Sequence, residues 1–501
     1  MGTASINSTG RVSVPENGNK PVVSIVDDVP HSDEESQTSQ EKSYTVDPVL
    51  ERKLIRKLDS RMLIWSFFAY FANQLDRNNL QNAFTMGMER DLDLNSDVYN
   101  WAVTMFFIGY VVLQIPSNMI ITKVLPRWFL PSVVLGWGSI VCFMALVTNH
   151  QGLWGLRMLM GLVEAAFYPG MIFLLGSWYT KEELGKRMMF FTTGNQVSGA
   201  FGGLIAGGIS DTMTGAAGLP AWKWLFIIEG LIGVVIGIAG YFLLPNFPHH
   251  RTYWLTEEER ELAIARIQHQ GSKVKSATFN FKTIANVLAT PYAWLQVLNF
   301  SCIYIGNQLS LNFAIILRGM GYEVAFANYM NTPAYLFGAI AALVVAWSSD
   351  KTGDRIIHIA VTELWVGVWY LILGVVGLGN NPPALLFVGV FAIAVNISLP
   401  ALCLAWITEI YQADHNSRAV AIAFINAVGN LAPNFINLRA WIVSDAPAFF
   451  NGKMTSMGMS FGSVLITLVI AFLLRIKFML PQPVEKKGVK NFEENDTSSK
   501  E

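Results

Sequence analysis

The chain has 501 residues, 52% of them hydrophobic and 14% charged, with a mean hydropathy of +0.39 and a formal net charge of −1. That is too apolar for a soluble protein of this length and points to a chain that crosses a membrane many times. The balance of charge gives no reason to expect nucleic acid as a partner. Cys142, Cys302 and Cys403 each fall inside apolar runs, so the sequence carries neither a disulfide framework nor a metal-ligand spacing. No phosphate-binding glycine loop and no nucleophile–base spacing points to an enzyme. No cofactor is expected, and any uphill work would have to draw on an ion gradient.

In chain order, residues 1–50 are rich in Ser, Asn, Pro, Asp and Glu and are expected to form a disordered tail, because they cannot bury a core. They also lack the apolar stretch of a signal peptide. Glu51 to Arg61 is a basic lead-in to the first of twelve apolar segments, at 62–84, 98–122, 128–147, 153–177, 188–210, 223–244, 292–317, 326–348, 357–378, 384–408, 419–441 and 456–478. Each is long enough as a helix to cross about 30 Å of hydrocarbon. The predicted organisation is a six-helix half at 51–244, a polar connector at 245–290, a second half at 291–478 and a tail at 479–501. Within the connector, Thr256 and Glu259 fit a capping box that starts a helix over Leu255 to Ile267, whose charges are expected to form a solvated face. With both termini in the cytoplasm, 28 of the 35 lysines and arginines fall on the cytoplasmic side, as the positive-inside rule asks. The exceptions are Arg77 and Arg157 within segments, and Arg90, Lys223, Arg318, Arg439 and Lys453 near outer ends or loops.

Two six-helix halves around a long connector are similar to the major facilitator architecture, an all-α membrane fold. Ala346 to Arg355 resembles the facilitator loop pattern, and Asp350 and Arg355 are expected to hold neighbouring helix ends together rather than touch substrate. Gly194 to Gly208 in the fifth segment puts small residues at close-packing intervals, expected to make tight helix contacts.

Ionisable groups at membrane depth usually mark a pathway. Arg157 and Glu164 share one face of the fourth segment, nearly two turns and about 10 Å apart. A cation and a carboxylate there could bind an anion and carry a proton. Asp76 and Arg77 in the first segment are flanked by Asn73, Gln74, Asn78 and Asn79; they point about 100° apart, so they can face different partners. Arginine is the natural anchor for a carboxylate, because its planar fork binds bidentately. Tyr110 and Gln114, one turn apart, are read either as cavity lining or as helix–helix hydrogen bonding, and Asn307 and Gln308 are weighed in the same way. Glu229 is expected to pack or bond across the sixth segment, Glu363 to pair with a loop cation, and Glu409 and Arg418 to belong to an inner gate.

The runs LDRNNLQNAFTMGMERDLDL, FFIGYVVLQIPSN, LRMLMGLVEAAFYPG, SWYTKEELGKRM, AWKWLFIIEG and LPNFPHHRTYWLTEEER resemble the anion:cation symporters among the major facilitators, and within them the fungal allantoate-permease branch. SWYTKEELGKR and AWITEIYQADHNSRAVAIAFINAVGN look closest to pantothenate- and vitamin-type members. The resemblance implies a proton-coupled importer of a small carboxylate. Asp76 and Glu164 would be the proton-titrating acids, Arg77 and Arg157 would position the anion, and Gln196 with Asn426 or Asn430 would add polar contacts. It also implies a monomer in the plasma membrane. Allantoate, nicotinate or biotin as substrate, an exporter of organic anions, and a nutrient receptor that keeps the carrier fold are the other readings.

Overall fold

The computed structural model describes residues 48–94, 98–121, 124–269, 281–376, 382–411 and 415–478. Most of the N-terminal tail, the C-terminal tail, Lys123 and part of the connector therefore lie outside the described residues. Among the described residues there is helix and no β-strand.

Each apolar segment becomes a helix. The first half comprises α1 (Ile64–Ala83), α2 (Val98–Ile121), α3 (Pro126–Met144), α4 (His150–Trp178), α5 (Lys181–Thr212) and α6 (Ala221–Leu243). The second half comprises α7 (291–319), α8 (Val324–Thr352), α9 (Ile356–Val375), α10 (Pro383–Ile410), α11 (His415–Ala440) and α12 (Phe450–Arg475). Among the described residues, eight helices are long and apolar enough to cross a membrane. Two of the other helices, α1 and α7, fall short for readable reasons. The chain through α1 carries a run of amides and charges, and α7 is broken into Pro291–Gly306, Gln308–Leu311 and Phe313–Gly319. The hydroxyl of Tyr370 spans that break, donating to the Gly306 carbonyl at 2.9 Å and accepting from the Leu309 amide at 3.1 Å.

Two expectations about single helices need correction. The fourth segment is not one uninterrupted helix: α4 breaks at Ala165–Ala166, directly after Glu164. Helix α12 starts at Phe450, before the apolar run expected from 456, so Lys453 lies buried in its first turn, near the helix end where it was expected.

Glycine sets the closest helix contacts. Where α2 meets α4, a Cβ on Gly161 would lie 2.0 Å from the Phe106 carbonyl oxygen, a contact no side chain tolerates. On α5, Gly194 meets the backbone of α1, whereas Gly199, Gly203 and Gly207 meet Tyr335, Asn328 and Tyr329 of α8. The expected glycine packing is therefore present, and it joins the two halves as well as packing one of them.

Within the first half α3 packs on α6, α2 on α4, and α1 on α5 and α6; within the second, α9 packs on α12 and α7 on α11 and α12. The halves meet through α5 with α8 and α2 with α11. Tyr292 donates to the Phe478 carbonyl at 2.7 Å, and Lys57 reaches Glu259 at 2.7 Å, so both described ends of the chain and the connector share one face. The hydrogen bonds described between the halves lie toward the opposite face. Asn100 donates to the carbonyls of Asn437 and Trp441 at 3.0 and 2.8 Å, Asn328 to Thr85 at 3.1 Å, and Tyr329 to Asp211 at 2.9 Å. On the connector face, the ion pairs described stay within one half or tie the first half to the connector.

The connector helix (Glu257–His269) has the expected capping box: Glu259 accepts from the Thr256 amide at 3.1 Å, and Thr256 accepts from the Glu259 amide at 3.3 Å. Only part of its charge is the expected solvated face: Glu257, Glu258 and Glu261 are exposed, but two charged residues are not. Glu259 is fully buried between Lys57 and Lys53, and Arg266 reaches Glu51 at 2.8 Å and Glu183 at 2.6 Å. Helical periodicity shows which residues share a face but not that another charged helix covers it.

Burial alone would raise the Glu259 carboxyl, but the Lys57 hydrogen bond, the Thr256 amide and Lys53 together hold it below the usual range. A lowered carboxyl favours the folded state above its unfolded value of about 4.3, and that contribution is lost as pH falls through the lower folded value. Glu259→Gln is expected to loosen the connector at neutral pH, read as faster proteolysis between the halves. The difference from wild type should vanish in acid; a difference that persists there would show that charge is not the cause.

Candidate functional site

The site is built on α1, where the helical period separates two neighbours. Tyr70, Asn73 and Arg77 lie on one face, and Asp76 and Asn79 on the next. Arg77 crosses to α4 and ion-pairs with Glu164, and its guanidinium lies 4.8 Å from the ring centre of Tyr110 and 5.3 Å from that of Phe106 on α2. Tyr70, and Tyr304 of α7 in the other half, lie close enough to feel its charge. Tyr168 sits 5.5 Å from Tyr70, ring centre to ring centre. Arg77 therefore stands in an aromatic cage of Tyr110 and Phe106, with Tyr70 and, from the other half, Tyr304 within electrostatic reach. The side chain is 23% exposed, whereas Glu164 is 1% exposed, with Oε2 unpartnered.

Asp76 turns the other way. It is fully buried, both carboxyl oxygens lack a hydrogen-bond partner, and it lies with Trp137 Nε1 beside Gly233 of α6. Arg157 lies in the same interior, donating to Asn79 Oδ1 at 2.8 Å and to the Asp76 carbonyl at 3.4 Å, with Nε unpartnered. Glu229 joins them, buried and with both oxygens unpartnered, within electrostatic reach of Arg157 and Asp76. The first half thus holds a deep polar interior of Asp76, Asn79, Arg157 and Glu229, with the Arg77–Glu164 pair at its margin.

This fixes a pairing that the sequence left open and corrects one expectation. Sharing a face of α4 does not pair Arg157 with Glu164; the guanidinium that reaches Glu164 comes from α1. Glu229 is a member of the charged cluster, not a packing residue of α6. The sequence alone missed Tyr70 and Tyr304, which lie within electrostatic reach of Arg77, and Tyr168, which packs on Tyr70. For Tyr70 a signal existed, since it precedes Arg77 by two turns on one face; Tyr168 and Tyr304 follow only from helix packing.

The remaining candidates scatter. Tyr110 is part of the Arg77 cage, while Gln114, one turn on, is buried with Oε1 unpartnered. Gln196 is half-buried on the α5 face that carries Gly199 and Gly203. Asn307 sits at the α7 break with Oδ1 unpartnered, and the Gln308 carbonyl accepts from Asn312 at 2.9 Å. On α11 a ladder runs along the helix: Asn430 donates to the Asn426 carbonyl at 2.6 Å, and Asn434 to the Asn430 carbonyl at 2.7 Å. Arg355 pairs with Asp350 at 2.6 Å and Glu409 at 3.2 Å, tying the connector-face ends of α8 and α10. Arg418 is half-buried in the first turn of α11.

Two helical halves, the first with a charged interior, define a multi-pass membrane carrier. Residues 66–436 match the model of the Major Facilitator Superfamily, and the chain belongs to that superfamily. It is 31% identical over 460 residues to the MFS-type transporter cnsO of Penicillium expansum, covering 89% of this chain and 88% of that protein. It is 30% identical to the major facilitator-type transporter hxnP of Emericella nidulans, covering 78% and 79%. Among solved structures, a D-xylose–proton symporter matches with a TM-score of 0.61 at 14% identity, covering 81% of this chain and 96% of that one. A bacterial homologue of the human lysosomal transporter Spinster, inward-facing and unoccupied, also matches at 0.61 and 14%, covering 87% and 98%. These two likenesses show the fold. The family and the transporter relatives make the protein a transporter rather than an enzyme.

Proposed function

We propose that this transporter is a proton-coupled symporter of a small organic anion, a carboxylate of the vitamin type such as pantothenate. It would work as a monomer, importing across the plasma membrane with both termini in the cytoplasm, as a member of the fungal allantoate-permease branch of the anion:cation symporters. One observation carries the reading: the partly exposed Arg77, between the halves, is occupied by a buried carboxylate, Glu164. Arg77 cannot hold Glu164 and a substrate carboxylate at once. A proton on Glu164 releases the fork to the substrate, and loss of that proton on the cytoplasmic side reclaims it and ejects the anion. In this reading Asp76 is the second titrating acid, acting through the interior it shares with Arg157 and Glu229. Arg157 then orders α1 against α4 rather than serving as the first anchor. The hydrogen bonds described at the face away from the connector agree with a carrier closed there.

The test is uptake by cells stripped of their own carriers and expressing this protein. Labelled pantothenate, biotin, nicotinate and allantoate would be offered in acidic and near-neutral medium, with and without a protonophore. Uptake of one acid that is faster in acid and collapses with the protonophore is expected. Uptake indifferent to both conditions would sink proton coupling.

A further inference from the structure

The second half hides a carboxyl that the proposed cycle does not use. Glu363 on α9 is fully buried, so its expected pairing with a loop cation is wrong: the chain enters α9 at Arg355, but Glu363 lies two turns further in and faces the core of its own half. Its described surroundings are neutral. The amide of Asn396 on α10 lies 3.5 Å from Oε1, and Ser460 of α12 lies beside it. Among the described residues, the titratable groups that face it are Cys302 of α7, Tyr370 of α9 and Cys403 of α10, and none is a cation. Tyr370 already spends its hydroxyl on the α7 break.

Three oxygens in this nest have no hydrogen-bond partner: Glu363 Oε2, Asn396 Oδ1 and Ser460 Oγ. Gly306 closes the nest from α7, where a Cβ would come within 2.8 Å of the Asn396 amide nitrogen and 3.2 Å of Ser460 Oγ. Ser460 carries one O–H of its own, but Glu363 Oε2 and Asn396 Oδ1 are acceptors that still need a donor between them, and a single proton supplies one. An ionised carboxylate here would be a buried charge without a counter-ion, which folded proteins avoid by neutralising the group.

Position adds a second argument. The Asp76 interior is assembled from α1, α3, α4 and α6, and the Glu363 nest from α7, α9, α10 and α12. These are the same helices counted from the start of each half, and halves of this kind are structural repeats. The first half answers its buried acids with Arg157; the second half offers only amide and hydroxyl.

We infer that Glu363 is a proton-binding site of the second half, loaded in the conformation seen here and separate from the Asp76–Arg157–Glu164 cluster. The proton comes from water, and no other bond changes. Once protonated, the carboxyl donates its O–H to Asn396 Oδ1 or Ser460 Oγ and braces α9 against α10 and α12.

The test needs no substrate, so its failure is distinct from failure of the carboxylate symport reading. Infrared absorption of the purified protein in lipid nanodiscs, in H2O and D2O at neutral pH, reports protonated carboxyls through their deuterium-sensitive C=O stretch. The wild type is expected to show such a band. Glu363→Gln should remove one resolved component of it, while Asp76→Asn, Glu164→Gln and Glu229→Gln, whatever they remove from the first half's acids, should leave that component in place. Glu363→Gln, which matches the neutral acid in shape, should also purify with wild-type thermal stability. A wild type without the band, a band left unchanged by Glu363→Gln, or a Glu363→Gln protein that fails to fold would each overturn the assignment.

Discussion

Glu164→Gln is expected to lose concentrative uptake entirely while keeping substrate exchange. The Arg77–Glu164 pair is the step at which a proton and an anion would be linked. Glutamine keeps the shape and still accepts from Arg77, but it carries no charge to compete with a substrate carboxylate. The fork is then open to the anion at any pH, and the proton gradient has nothing to act on. The accumulation ratio should fall to the value set by the membrane potential and substrate charge alone, with binding at neutral pH as tight as in acid. Folding should survive, because Arg77 keeps 23% exposure and two aromatic faces, Tyr110 and Phe106. Uptake against a gradient by this variant would remove Glu164 from the coupling role.

The second large effect concerns Arg77. Removing one partner of a charge-assisted pair to a carboxylate costs about 2–5 kcal/mol, or about 30- to 5,000-fold in apparent affinity. Arg77→Ala is therefore expected to abolish measurable uptake. It would also strand the Glu164 carboxylate in the interior, so loss of folded protein is a competing explanation. The double variant Arg77→Ala/Glu164→Gln separates the two: it leaves no buried charge, should reach the membrane at normal levels, and should still not transport. Arg77→Lys keeps the charge but not the planar fork, and should transport with an apparent affinity at least about 10-fold weaker. If the double variant transports, the anchor lies elsewhere, and Arg157 becomes the group to examine.

How much of this was legible beforehand differs from element to element. The helices could be read because hydropathy over some twenty residues is a local property; α7 is where that reading was coarse, since its break at Asn307 is held by Tyr370, a residue far along the chain. The charged quartet could be named, because ionisable residues in apolar helices are too costly to be incidental. Its pairing could not. A helical wheel places Arg157 and Glu164 on one face, but the distance that decides is across helices, and Arg77 lies closer. The same holds for the connector: its capping box is local and appeared as expected, while the burial of Glu259 and Arg266 depends on Lys57, Glu51 and Glu183 from elsewhere.

The sequence by itself determined that this chain is a bundle of apolar helices in two sets of six, with buried charges concentrated in the first. Those features follow from composition and from intervals within single helices. Tertiary structure alone decided which arginine meets which acid, that Glu229 joins the interior, that Tyr110 and Phe106 of α2 lie over Arg77, and that Glu363 is enclosed by neutral groups. Each of those is a contact between residues distant in sequence. Their energies depend on separation and burial, which no spacing along the chain records.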